Sequence, residues 1–254
     1  MKNIMLGLLI GFSVFTNAFA ASVAEKITLY SYHNHPPFVT AKGQGLTYDL
    51  AEKLNTLAAG KYDFQVKIVP RSRLNLFLKD WINGTCPSIE CNKQWLVAWV
   101  NPKWGFIRGE SNNYLWHSLF TDSNVIVSNT ETNFNYEEPA SLKGLVLAGM
   151  RGHRYVGIDD LVATGDITRI DGNRERDNLL KVLHKRVTAT LLPNSTMQYL
   201  LSNDPIIKEK AGQFKISATK HQIYKRFIML PSDREDIFTL LNSVPVSSLI
   251  KVTQ

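Results

Sequence analysis

Apolar positions along the chain switch repeatedly between a spacing of two and a spacing of three to four, and each switch marks an element. Ile27 to Tyr32 reads as a strand, and Gly45 opens a helix that sets Leu46, Leu50, Leu54 and Leu57 on one face before Gly60 stops it. Asp63 to Pro70 alternates apolar and polar residues, which is a second strand. Ser72 is placed to cap a helix with Leu74, Phe77, Leu78 and Trp81 on its apolar face, ended by Asn83-Gly84. Trp95 to Val100 and Asn124 to Ser128 read as further strands. Strands alternating with helices imply parallel pairing and an α/β sandwich.

The pattern lapses at Asn129 to Ser141, a polar stretch with a proline and no periodicity, as a crossing between lobes requires. It then resumes. Leu142 to Ala148 is a strand, and Gly149-Met-Arg-Gly152 turns into a helix holding Ile158, Leu161 and Val162, ended by Gly165. Ile167 to Ile170 (strand), Asn178 to Arg186 (helix), Val187 to Leu192 (strand) and a helix through Met197, Tyr199 and Leu200 complete a second α/β unit. A second crossing is expected near Lys220 to Phe227. Ser232-Asp-Arg-Glu235 has the form of a capping box before a last helix with Ile237, Leu240 and Leu241.

The start of the chain changes where this fold must work. Met1-Lys2, an apolar run from Ile4 to Phe15 and the small-x-small group Ala18-Phe19-Ala20 have the form of a secretory signal, with cleavage expected after Ala20. The run is shorter than the ~20 residues of a spanning helix. Cleavage would remove one of 29 basic residues and none of the 22 acidic ones, so the net charge falls from +7 to +6. That balance suits an anionic ligand, but the basic residues are scattered rather than striped, which argues against nucleic acid. Cys86 and Cys91, in Cys-Pro-Ser-Ile-Glu-Cys, are the two cysteines. In an oxidising compartment an even pair reads as a disulfide; a redox site would favour Cys-x-x-Cys and a zinc site more ligands nearby.

Two stretches carry a resemblance. Tyr30-Ser-Tyr-His-Asn-His-Pro-Pro-Phe38, followed by Gly45-Leu-Thr-Tyr-Asp-Leu-Ala-Glu-Lys-Leu-Asn55, is similar to the opening of bacterial periplasmic solute-binding proteins of the amino-acid-binding type. Leu142-Lys-Gly144 with Gly-x-x-Gly-x-x-Tyr, then Asp171-Gly-Asn173 and Lys185-Arg-Val187, resembles that family's second lobe. The resemblance implies a two-lobed type 2 periplasmic-binding fold, hinged between lobes: residues 21–130 with 224–254 in lobe 1 and 131–223 in lobe 2. It implies a monomer that delivers a small molecule to an inner-membrane ABC permease and needs no cofactor.

In such proteins the ligand lies between lobes, on aromatic faces, helix N-termini and strand ends. The first-lobe candidates are Tyr32, His35 and Phe38, around the turn after the first strand, with Phe38 alternatively a plug against Pro36 and Pro37. Arg71 follows the second strand, where a guanidinium could pair with a carboxylate or phosphate, or simply sit at the surface. Trp99 and Asn101 close an apolar strand and offer an indole and an amide. In the second lobe Arg151, Gly152 and Tyr155 would open a helix whose free amides attract anions, and Asn194 ends a later strand.

The departures from the family are as informative. Its Thr-x-x-Arg after the third strand has no clear counterpart in Val100-Asn-Pro-Lys-Trp-Gly-Phe-Ile-Arg108. The acidic residues of its Gly-Arg-Val-Asp strand are missing from Lys185-Arg-Val-Thr188, and Pro193-Asn194 falls where the ammonium-binding aspartate is expected. The zwitterion clamp is therefore incomplete, and a small polar or anionic metabolite remains open. Two rivals stand beside transport: a sensor or accessory protein on the same fold, and a dehydratase-like enzyme. For the enzyme, His33, His35, His117 and His153 are the available bases, and no Gly-x-Ser-x-Gly or metal-ligand spacing accompanies them.

Overall fold

The computed structural model describes residues 23–85, 92–106, 113–243, 245 and 247. The expected signal segment 1–20 and the Cys86 and Cys91 pair lie outside the described residues. Strand β1 (Glu25–Ser31) pairs in parallel with β2 (Tyr62–Ile68) and β3 (Trp95–Val100). Helices α1 (Leu46–Ala58) and α2 (Arg71–Asn83) make the crossovers. Leu50, Leu54, Ile27 and Leu29 close one face of this sheet, and Leu74, Leu78, Trp95 and Val97 close the other. All six residues of β3 are buried, as a strand covered on both faces must be.

Two long strands then join the halves. β4 (Tyr114–Asn129) runs antiparallel to β9 (Gln222–Pro231) along 114–124, and β9 also pairs with β3. Beyond Asn124, β4 pairs with β7 (Ala189–Pro193) and β8 (Phe214–Ile216), and β7 leads on to β5 (Val146–Met150) and β6 (Thr168–Gly172). The strand order is therefore β2-β1-β3-β9-β4-β7-β5-β6. Around the second half stand α3 (Asp159–Ala163), α4 (Glu175–Leu183), α5 (Asn194–Asn203) and α6 (Pro205–Glu209). Helix α7 (Glu235–Asn242) returns to the first half, where Ile237 and Leu241 join the cluster of Leu50 and Leu54. Among the described residues no helix is long and apolar enough to cross a membrane.

Four sequence expectations need correction. The chain crosses between halves inside β4, not at Asn129 to Ser141; that stretch packs Phe134 and Tyr136 into the second core beside Leu142 and Leu147. The sequence hid this because a register shift between Ser118 and Phe120 breaks the period of β4. The expected second crossing, Lys220 to Phe227, does lie on a connecting strand, β9. The helix expected from Gly149 is also displaced: residues 151–152 and 156–158 form turns with irregular backbone between them, and α3 covers only 159–163. Arg169 organises those turns, bonding Asp159 (3.0 Å), Asp171 (2.6 Å) and the carbonyls of Met150 and His153. Neither Ser72 nor Ser232 caps a helix. Pro70 precedes α2, and Arg234 precedes α7 without a side-chain cap, bonding Glu25 and Asp236 instead.

Candidate functional site

Where β4 and β9 pass between the halves, Asp122 and Arg226 meet. Both are almost wholly buried, and Arg226 Nε donates to Asp122 Oδ2 at 2.9 Å. The other amines of Arg226 reach the Trp99 carbonyl (3.1 Å), His33 Nε2 (3.4 Å) and the Tyr224 hydroxyl (3.3 Å). Its guanidinium lies over the rings of Phe38, Tyr224 and Trp104, at 4.5, 5.3 and 5.7 Å. The Trp99 carbonyl is presented by a backbone irregularity. Trp99 sits at φ 68°, left-handed space that a bulky residue seldom occupies, inside the register shift between β3 and β9. Asp122 is equally well held, since it accepts from Ser123 N (2.8 Å), Ser195 N (3.2 Å) and Ser195 Oγ (2.7 Å). It therefore occupies the first turn of α5, a place where an anion could otherwise bind.

The amides of α1 are similarly engaged. Gly45 has φ 109°, and a Cβ there would stand 2.8 Å from the Phe38 carbonyl. Only glycine lets the loop lie this close. Leu46 N and Thr47 N can then donate to the Pro37 and Phe38 carbonyls, both at 3.0 Å.

Above the arginine, the loop after β1 reaches across to the second half. Arginine can only donate, so His33 Nε2 accepts from it and the proton of His33 lies on Nδ1. Nδ1 faces His35 Nε2 at 3.3 Å, which places the proton of His35 on its own Nδ1, toward the Pro36 carbonyl (3.1 Å) and Thr196 Oγ1 (3.3 Å). Thr196, at the start of α5, donates to the Pro36 carbonyl at 2.9 Å and so fastens one half to the other. Burial holds the His33 imidazole well below its ordinary value, and the neighbouring Arg226 charge pushes the same way. Glu175, the first residue of α4, is 3% exposed and lies 3.9 Å from His35 Nδ1. Its Oε1 accepts no hydrogen bond among the described residues.

The sequence candidates divide into three groups. His35 stands at the seam, and Tyr32 is half-buried beside it, its ring 4.2 Å from that of His33. Phe38 and Trp99 are fully buried, in contact with each other at 5.2 Å, and Trp99 Nε1 donates to Thr47. The Phe38 ring lies under the Arg226 guanidinium, and the Trp99 ring packs in the core cluster of Leu50 and Leu54. Asn101 bonds the Lys225 carbonyl and Lys103 N and so shapes a turn, while Tyr155 accepts from Met150 N, its hydroxyl pushed up to about 12 by burial. Arg71 donates to the Trp104 carbonyl at 2.6 Å and stacks 3.9 Å from the Phe106 ring. Arg151 and Gly152 are exposed in the turn that stands where a helix start was expected, and Asn194 bonds Gln198 within α5.

Sequence reasoning missed Asp122, Glu175, Thr196 and Arg226. Each sits in a segment with weak periodicity or at the first turn of a helix. An arginine directly before the apolar run Phe227-Ile-Met-Leu230 was the available signal for one of them.

No protein-family model and no curated protein sequence matches the chain. Solved structures do. Holo ArgBP from T. maritima matches with a TM-score of 0.57 at 15% identity, over 86% of this chain and 88% of that one. An arginine transport-system periplasmic binding protein from Legionella pneumophila gives 0.58 at 14%, over 87% and 92%. The GluR0 ligand-binding core from Nostoc punctiforme, in complex with glutamate, gives 0.59 at 14%, over 88% and 96%. The chain thus has the two-lobed α/β fold of the periplasmic binding proteins, and these structural neighbours are binding proteins and a receptor core, not enzymes.

Proposed function

We propose that this protein is a periplasmic solute-binding protein that captures a small polar, amino-acid-like metabolite between its lobes and presents the closed form to an inner-membrane ABC permease. The observation that carries the reading is the seam itself. His35 and Pro36 from one half meet Glu175 and Thr196 from the other, and β4 and β9 link the halves. Two connecting strands allow the halves to rotate while both cores stay packed. The reading includes export with cleavage after Ala20, a Cys86–Cys91 disulfide, a monomer, and binding without turnover. The lobes would take the expected sets, 21–130 with 224–254 and 131–223, except that residues 124–129 of β4 go with the second lobe through β7 and β8, which puts the pivot in β4 and β9 around Phe120 and Arg226.

The test is mass spectrometry of small molecules released from protein purified from its own periplasm, with scattering and melting measured on adding them back. The solute should return unchanged, shrink the radius of gyration and raise the melting temperature by mass action. Turnover abolished by changing His35 would replace this reading with the enzyme. The direct hydrogen bond from Thr196 to Pro36 favours one second reading, a sensor or accessory protein that reports closure rather than delivering cargo. A partner kinase captured in place of a permease would decide for it.

A further inference from the structure

We infer that Glu175 is the cation-recognising residue of the seam, and that the solute carries a protonated amine or guanidine. The inference rests on the solute-binding reading above and names the chemistry that the site would take.

Its basis is a mismatch between the charges at the seam and their partners. Arg226 is matched by Asp122. Burial and the neighbouring arginine disfavour the charged form of His33, and the donor directions turn the Nδ1 proton of His35 toward the Pro36 carbonyl. Glu175 is then a buried carboxylate whose charged neighbours are histidines, His35 at 3.9 Å and His153; no lysine or arginine pairs with it among the described residues, and its Oε1 accepts nothing. A buried carboxylate oxygen without a protein donor is costly, and a donor arriving with a solute would relieve that cost. The neighbours of Glu175 strengthen the point. It is flanked by Arg174 and Arg176, yet Arg174 pairs with Asp177 at 2.8 Å and Arg176 with Asp204 at 2.5 Å. Lys181, on the same helix, bonds Asn178 instead. Arg174, before α4, and the two cations Arg176 and Lys181 within it thus bond elsewhere.

The anion alternative is weakened by the same inventory. Asp122 fills the first turn of α5, and carbonyls of the preceding loop engage the amides of α1. Arg71 is held by Trp104 and Phe106. A chain with a net charge of +7 therefore presents a negative point where its halves meet.

The test uses the exported chain with arginine, ornithine and 1,4-diaminobutane as cationic probes, and succinate and glucose as anionic and uncharged ones. Thermal shift and calorimetry at pH 7 are the readouts. At least one cationic probe should bind, its fully neutralised form (ornithine or 1,4-diaminobutane acetylated on both nitrogens, N-acetylcitrulline for arginine) should bind the unaltered protein at least tenfold more weakly, and Glu175→Gln should weaken the cationic probe at least tenfold. The neutralised-probe arm requires no variant to fold. Binding of succinate or glucose that Glu175→Gln leaves within twofold would overturn the inference while leaving the solute-binding reading intact. A melting temperature that rises on acidification without solute, and no longer does so in Glu175→Gln, would make a protonated histidine beside Glu175, His35 or His153, the cation and also overturn it. No response in melting or in radius of gyration to any probe, or to a small-molecule extract of the periplasm, would remove the solute-binding reading itself.

Discussion

Two buried carboxylates lie in neighbouring regions of this molecule and are treated in opposite ways. On the connecting strands, Asp122 has a guanidinium, two backbone amides and a hydroxyl. At the rim of the seam, Glu175 is as deeply buried, and its Oε1 accepts nothing among the described residues. Burial alone therefore does not separate a structural charge from one available for recognition; satisfaction does. A group with every lone pair engaged holds the fold, whereas one left open is available to a visitor.

Removing one member of each region is the sharpest way to break that comparison. Arg226→Met should leave Asp122 buried without a counter-charge and destabilise the fold by about 3–5 kcal/mol, read by urea unfolding. Glu175→Gln removes a charge that no lysine or arginine pairs with among the described residues, so it should stay within about 1 kcal/mol of the parent or exceed it. Equal losses in the two variants would mean that Glu175 is structural after all.

The second way is to change pH. His33 belongs to the satisfied region, enclosed by Arg226, His35 and the more distant His153. Its folded value is depressed, so the unfolded chain binds the proton more readily. Stability is then complete above the ordinary imidazole value of about 6.5 and falls as pH drops below it, by up to about 1.4 kcal/mol per pH unit for this one proton. His33→Gln cannot titrate but can still accept from Arg226, so it should flatten the slope between pH 6.5 and 5. An unchanged slope would assign the acid sensitivity to other groups.

How much of this the sequence disclosed depends on how local each feature is. The helix from Gly45 and the strand Trp95–Val100 were legible because their apolar spacing is regular and glycines punctuate them. The connecting strands were not. The irregularity near Ser118 interrupts β4, and Lys225 and Arg226 break the apolar pattern of β9. Trp99 was legible as the end of a strand but not as a core residue, because the positive φ that turns it inward leaves no trace in composition. Of the seam, His35 stood out beside Pro36-Pro37, while its counterparts Thr196 and Glu175 are about 160 and 140 residues away in the chain. Contacts of that separation are tertiary facts with no local pattern to report them.

A smaller effect probes the fastening between the regions. Thr196→Val keeps the shape of the side chain and removes the donor to the Pro36 carbonyl, so closure should lose about 1 kcal/mol. Solution scattering should show a larger radius of gyration in the free variant, with little change in unfolding by urea. A matching drop in urea stability would instead place the bond within the folding unit.

The smallest expected effect belongs to Arg151, and it isolates what position contributes apart from charge. The sequence placed this arginine at a helix start facing the ligand, beside amides that attract anions. The structure puts it on an exposed turn, with α3 beginning only at Asp159 and the turn held by Arg169 rather than by Arg151. Arg151→Ala should therefore change stability by less than about 0.5 kcal/mol. It should also leave the affinity for an amine unchanged or slightly improved, since it removes one like charge from the surface. Arg226→Met and Arg151→Ala delete the same functional group, so the gap between them measures what enclosure by Asp122, Trp99 and three aromatic rings adds to a guanidinium. A loss of tenfold or more in Arg151→Ala, seen by calorimetry, would return the anion reading to the second lobe and set Glu175 aside.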